Sequence, residues 1–127
     1  MRNSDDKILA ALSHIVIFFD LVGLIIAIII YVLKGKEAAF VNFSAKQAMG
    51  WQIFALIVEK AVLFLTLGSF VGGMRMGIHP FSGVFGIMSI NGIIDLFFTV
   101  VAIIGAIKAL SGDYYKYPLI GDFIAKI

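Results

Sequence analysis

The chain has 127 residues, 61% of them hydrophobic and 14% charged, with a mean hydropathy of +1.06. Soluble domains are nearer half apolar and a quarter charged, so composition points to one integral membrane domain over residues 1–127. The lack of cysteine excludes disulfides and thiolate chemistry, and the net charge of +2 sits in short segments flanking apolar runs, leaving no nucleic-acid-binding patch.

Residues 2–7 form a polar leader in which Ser4 can cap a helix, with Asp5 and Asp6 in its positive first turn. Residues 8–14 are mildly amphipathic. Residues 15–33 then run nineteen positions interrupted only by Asp20 and Gly23. At about 1.5 Å per residue this run crosses the hydrocarbon core. Division at residues 20–23 would leave halves too short to span, so one crossing is expected, over about residues 14–33. Lys34, Gly35 and Lys36 close it, with glycine suited to a left-handed cap. The run is too long for a signal-peptide core and no small-residue cleavage site follows it.

Residues 40–52 read FVNFSAKQAMGWQ. Ser44 and Gln47 have the spacing of a capping box, and Phe40, Phe43 and Trp51 suit a water–lipid boundary. A second span follows over about 47–67, interrupted by Glu59 and Lys60. Residues 68–86 hold glycine at 68, 72, 73, 77, 83 and 86, with Arg75, His79 and Pro80. That density argues against one regular helix and predicts a loop, with partial re-entry into the membrane left open. Gly68/Gly72 and Gly73/Gly77 also fit small-residue packing spacing, with loop flexibility the simpler reading. The third span, about 87–110, carries Asn91 and Asp95 near its start and ends at Lys108, Ser111 and Gly112. The tail holds Tyr114, Tyr115, Tyr117 and Pro118, then a short amphipathic helix on the surface. The expected fold is all-α: an integral membrane three-helix bundle with interfacial N-terminal and C-terminal segments, or four spans if the glycine-rich segment crosses.

With three spans, the leader and the glycine-rich loop share one side, with Arg2, Lys7 and Arg75. The first loop and the tail share the other, with Lys34, Lys36, Lys46, Lys108, Lys116 and Lys126. The positive-inside rule predicts a cell (inner) membrane protein with its N-terminus outside and its C-terminus cytoplasmic.

Asp20 lies fourteen residues before Lys34, Glu59 thirteen after Lys46 and Asp95 thirteen before Lys108. Alternating helix direction places all three acids at one depth, roughly 20 Å from the basic ring and past the midplane towards the outer side. Each sits on a stripe of small and polar residues: Asp20, Gly23, Ala27, Tyr31 and Lys34; Ala45, Ala48, Gln52, Ala55, Glu59 and Thr66; Asn91, Asp95, Thr99, Ala102, Ala106 and Ala109. The stripes are expected to turn inward. Lys60 is about 100° from Glu59 and has three options: pairing across a helix edge, snorkelling or facing another protomer. Intramembrane charges invite a functional reading, here a proton or cation site. Paired or protonated acids that lock the helices together explain the same layer.

His14 and His79 are expected near the outer side, as interfacial or satisfied polar groups rather than ligands. No nucleophile–base pair, phosphate-binding loop or dinucleotide fingerprint occurs. No catalytic residue, metal or cofactor is therefore expected.

DKILAALSH at residues 6–14, KEAAFVNFSAKQAMGWQ at 36–52 and IKALSGDYYKYPLIG at 107–121 occur in an order and spacing that resemble a family of small multipass membrane proteins. That family includes the magnetosome proteins MamF and MmsF and is related to a Tic import component of the chloroplast inner envelope. The most specific elements are Phe40, Asn42, Phe43, Ser44, Lys46, Gln47 and Gln52, with Gly112, Tyr115, Tyr117 and Pro118. Many relatives have histidine where this chain has Ser44. The resemblance implies a non-enzymatic component of a protein-translocation or membrane-organising assembly. It would work with membrane lipids and either copies of itself or a membrane-protein partner. The cytoplasmic motif and the Tyr-rich tail are expected to be its contact surface.

Overall fold

The computed structural model describes Ser4–Ile127. Arg2, counted above for orientation, lies outside the described residues. Helix α1 covers Ser4–Ile15, followed by a 3-10 turn at Val16–Phe19. Then come α2 (Asp20–Lys34), α3 (Ala39–Arg75), α4 (Pro80–Leu110) and the short α5 (Gly121–Lys126). No strand occurs among the described residues. Three stretches are long and apolar enough to cross a membrane: Ser4–Lys34, Ala39–Arg75 and Pro80–Leu110.

The first stretch is not one rod. The β-branched and aromatic run Ile15–Val16–Ile17–Phe18–Phe19 disfavours continued α-helix, and the chain tightens into the 3-10 turn. Asp20 follows with φ 52° and ψ −122°, the dihedrals of the first central residue of a type II′ turn. The chain reverses there. Gly23 permits the reversal, because a Cβ on it would lie 1.8 Å from the Val16 carbonyl oxygen.

Packing traces the direction of each arm. Ala10 and Ala11 meet Phe40, Ala106 and Ala109. Deeper in, Ile17 packs with Trp51, Ala55, Phe98 and Ala102. On the way back, Ile26, Ile30 and Tyr31 join Leu9, Val41 and Ala45. So α1 runs alongside the first half of α3, and α2 returns beside it. With 12 and 15 residues the arms reach about 18 and 22 Å, each short of the ~30 Å hydrocarbon core.

This corrects two expectations. The division at Asp20, rejected because neither half could span, is real: the halves need not span because they fold back. The leader from Ser4 onward and the tail, expected on opposite sides, lie at the same end of the bundle. Lys7, Lys34, Lys36, Lys46, Lys108, Lys116 and Lys126 therefore share one end, and among the described basic side chains Arg75 stands at the other. His14 also belongs to the lysine-rich end rather than the outer one.

The glycine-rich segment is mostly helix, with a turn only at residues 76–79. Helix α3 continues through Gly68, Gly72 and Gly73 to Arg75, and α4 begins at Pro80, capped by His79, whose Nδ1 accepts from the Phe81 N–H (3.1 Å). Glycine is costly in a helix in water, but away from water the backbone has no partner except its own helix. Nor does α3 begin at Ser44. It starts at Ala39, and its cap Ala38 makes no side-chain bond, so the capping box does not form. Gly35 keeps a right-handed φ of −62°. The end of α4 is as expected: Gly112 takes φ 84° and the Asp113 N–H reaches back to the Lys108 carbonyl (3.0 Å).

Candidate functional site

The hairpin tip meets the middles of α3 and α4, where Asp20, Glu59, Lys60, Asn91 and Asp95 line one cleft of about 650 Å³. All five residues of the expected polar layer line this cleft. Glu59 lies close enough to Asp95, Asp20 and Lys60 for their charges to act on it. Asn91 is a strut: its amide donates to the Ile87 carbonyl (2.8 Å) and to Thr66 Oγ1 on α3 (3.2 Å). Among the described residues no group of three His, Asp or Glu side chains is arranged to hold a metal ion.

The stripes do not all turn inward. Their halves near the lysine-rich end are buried: Gly23 and Ala27, Ala45 to Ala55, and Ala102 to Ala109. At the cleft the burial stops, and Asp20, Lys60 and Asp95 are exposed while Glu59 and Asn91 are half-buried. The cause is the hairpin, which covers α3 and α4 only up to its tip. The cleft has an inner alcove of about 10 Å³, room for roughly one water, between Asp20, Gln52, Glu59 and Asp95. Gln52 donates to the Ser13 carbonyl (3.3 Å), and its buried Oε1 has no protein partner among the described residues.

Below the cleft the tail is clamped to the bundle. The Gln47 side chain, completely buried, donates to the Gly121 carbonyl (2.8 Å) and accepts from the Tyr117 N–H (3.2 Å). The Tyr117 ring stacks on Trp51 at 4.7 Å and 8°, and its hydroxyl meets His14 Nδ1 at 2.5 Å. Trp51 donates to the Phe98 carbonyl (3.0 Å). Gly105 makes room, since a Cβ there would lie 2.9 Å from the Tyr117 hydroxyl. Tyr114 sets its ring against the edges of Phe40 and Phe43. Burial pushes the Tyr117 phenol well above its usual range, with Tyr115 adding to the shift. Tyr115 is itself raised by burial.

Part of the motif therefore forms an internal clamp. Phe40, Ser44, Gln47, Gln52 and Tyr117 are buried, while Asn42, Phe43, Lys46, Gly112 and Tyr115 are half-buried and Pro118 is exposed. His14 is the member that sequence reasoning misplaced. Its available signal was the small and polar set Ala10, Ala11, Ser13 and His14, all buried in α1.

A family model described as the magnetosome magnetite crystal formation protein family, MamF/MmsF, matches residues 5–124. The chain belongs to this family. The matched region takes in the hairpin, the cleft and the tail clamp of this MamF/MmsF protein. Comparison with curated proteins and with solved structures yields no match.

Proposed function

We propose that this MamF/MmsF-family membrane protein is a non-enzymatic interaction subunit of a membrane assembly, contacting other membrane helices through the cleft and the bare arm beyond it. One observation carries the reading: from Lys60 to Phe97 no residue is buried. Here α3 and α4 stand as a two-helix arm beyond the hairpin, with charged groups opening sideways. A charge at bilayer depth costs on the order of 2.5–3.5 kcal/mol on insertion scales, so an uncovered cleft favours a covering partner. Lysine clustering at the opposite end supports an inner-membrane orientation with both termini cytoplasmic. The family description favours a membrane-organising role over translocation. The test is the mass of the gently solubilised native particle. A complex is expected, and a lone chain of 13.8 kDa would contradict the reading.

A second reading, a small proton or cation channel, draws on the convergence of the acids. It has less support, because Trp51, Ala55, Phe98, Ala102 and Tyr117 fill the interior between the cleft and the lysine-rich end. Flux through proteoliposomes, abolished by neutralising Glu59 in a folded variant, would favour it.

A further inference from the structure

We propose that the cleft is a contact between two copies of this chain, in which Lys60 of each copy enters the acid cluster of the other. The proposal rests on the interaction-subunit reading and names the partner.

The charges are self-complementary. Asp20, Glu59 and Asp95 line the cleft, and Lys60 flanks it, exposed and without a short ion pair among the described residues. Lys60 directly follows Glu59 on α3, so its side chain leaves the helix about 100° away. One copy thus presents on the cleft wall an exposed ammonium that makes no ion pair with its own acids among the described residues.

Depth removes the alternative of reaching water. Lys60 is fourteen residues from Lys46 and fifteen from Arg75, roughly 21 and 22 Å along α3. A lysine side chain is far shorter than either distance, so it cannot snorkel to an interface. Two copies inserted in the same direction are related by a twofold axis along the membrane normal. Each residue then meets residues of its own depth, which for Lys60 are Glu59 and Asp95. Such an isologous contact uses both charges twice, whereas an unrelated helix would have to bring its own cation. There is room for it: Gly92 lies on the cleft wall, and a side chain there would meet nothing within 4 Å.

The cysteine-free chain allows a direct test with single-cysteine variants oxidised in native membranes before solubilisation. Leu63→Cys and Leu96→Cys, both on the cleft, should give a crosslink of two copies, and Ile29→Cys on the outer face of α2 should not. In the crosslinking backgrounds, Lys60→Glu alone and Glu59→Lys alone should each lower the yield by about tenfold. Co-expressing the two under different tags should restore a mixed crosslink, because each reversed charge then meets its opposite. Trp51 emission reports whether a variant has folded, and where a reversal fails to fold, the contrast of the cleft positions with Ile29→Cys decides the matter. Yields insensitive to reversal, a mixture that does not recover, or equal crosslinking from Ile29→Cys would overturn the proposal. If the cleft cysteines capture another membrane protein and no second copy, the dimer is wrong and the interaction-subunit reading survives. If they capture nothing, both fall.

Discussion

Gln47 and Gly121 stand 74 residues apart in the chain and are joined by a 2.8 Å hydrogen bond between buried groups. The same amide accepts from the Tyr117 N–H, so one side chain fastens the tail at two backbone positions. Gln47→Ala should leave both backbone groups unpaired, at a cost of about 1–3 kcal/mol each if they stay buried. The expected outcome is a tail that detaches, read as faster amide exchange at Tyr117 and Gly121. Gln47→Glu should be no better, since a carboxylate oxygen would face the Gly121 carbonyl.

Tyr117→Phe keeps the stack on Trp51 and removes the bond to His14. Its cost should be about 1 kcal/mol, measured by thermal unfolding in detergent. The phenol also predicts a pH dependence. Its pKa is raised in the folded state relative to an ordinary value of 10.0, so the stability it contributes is complete below that pH. It is lost as pH rises towards the folded value, because ionisation must then take place in a buried site. Tail protection should therefore fall with pH above the ordinary tyrosine range. Tyr117→Phe should flatten that part of the profile.

Two glycines give opposite expectations. Gly23→Ala forces a methyl group into the Val16 carbonyl and should destabilise the hairpin by about 1–3 kcal/mol or more. Gly68→Ala adds a methyl group to a helix with nothing within 4 Å and should be neutral or stabilising by up to about 1 kcal/mol. Paired unfolding measurements on the two variants check both. A costly Gly68→Ala would show that the arm is closely packed there.

Asp20 holds a positive φ that L residues adopt at a cost of about 1–3 kcal/mol. Asp20→Gly should relieve that strain and raise stability, while Asp20→Ala should not. A stabilised Asp20→Gly protein with weaker copy-to-copy crosslinking would indicate that the carboxyl is kept for the cleft at the expense of the turn.

The apolar stretches and the meeting of Asp20, Glu59 and Asp95 in one cleft were legible because helical rise and periodicity are local properties. The hairpin was not. Residues 15–33 are apolar nearly throughout, and the reversal depends on one backbone conformation at Asp20 and a missing Cβ at Gly23 meeting Val16. Gln47 was misread for a related reason. Its spacing from Ser44 offered a local partner, whereas its real partners lie at Tyr117 and Gly121. The glycine-rich segment was misjudged by a rule that holds in water, where an unpaired backbone can bond to solvent.

The fold-back of the first apolar stretch underlies the cleft, the bare arm and the shared end of α1's start and the tail. It is tested most directly by the distance between spin labels at Lys7→Cys and Lys34→Cys in lipid nanodiscs. A hairpin predicts a separation under about 20 Å, since its arms pack side by side. A single straight helix would place the labels about 40 Å apart, at 1.5 Å for each of the twenty-seven intervening steps, and that result would contradict the account.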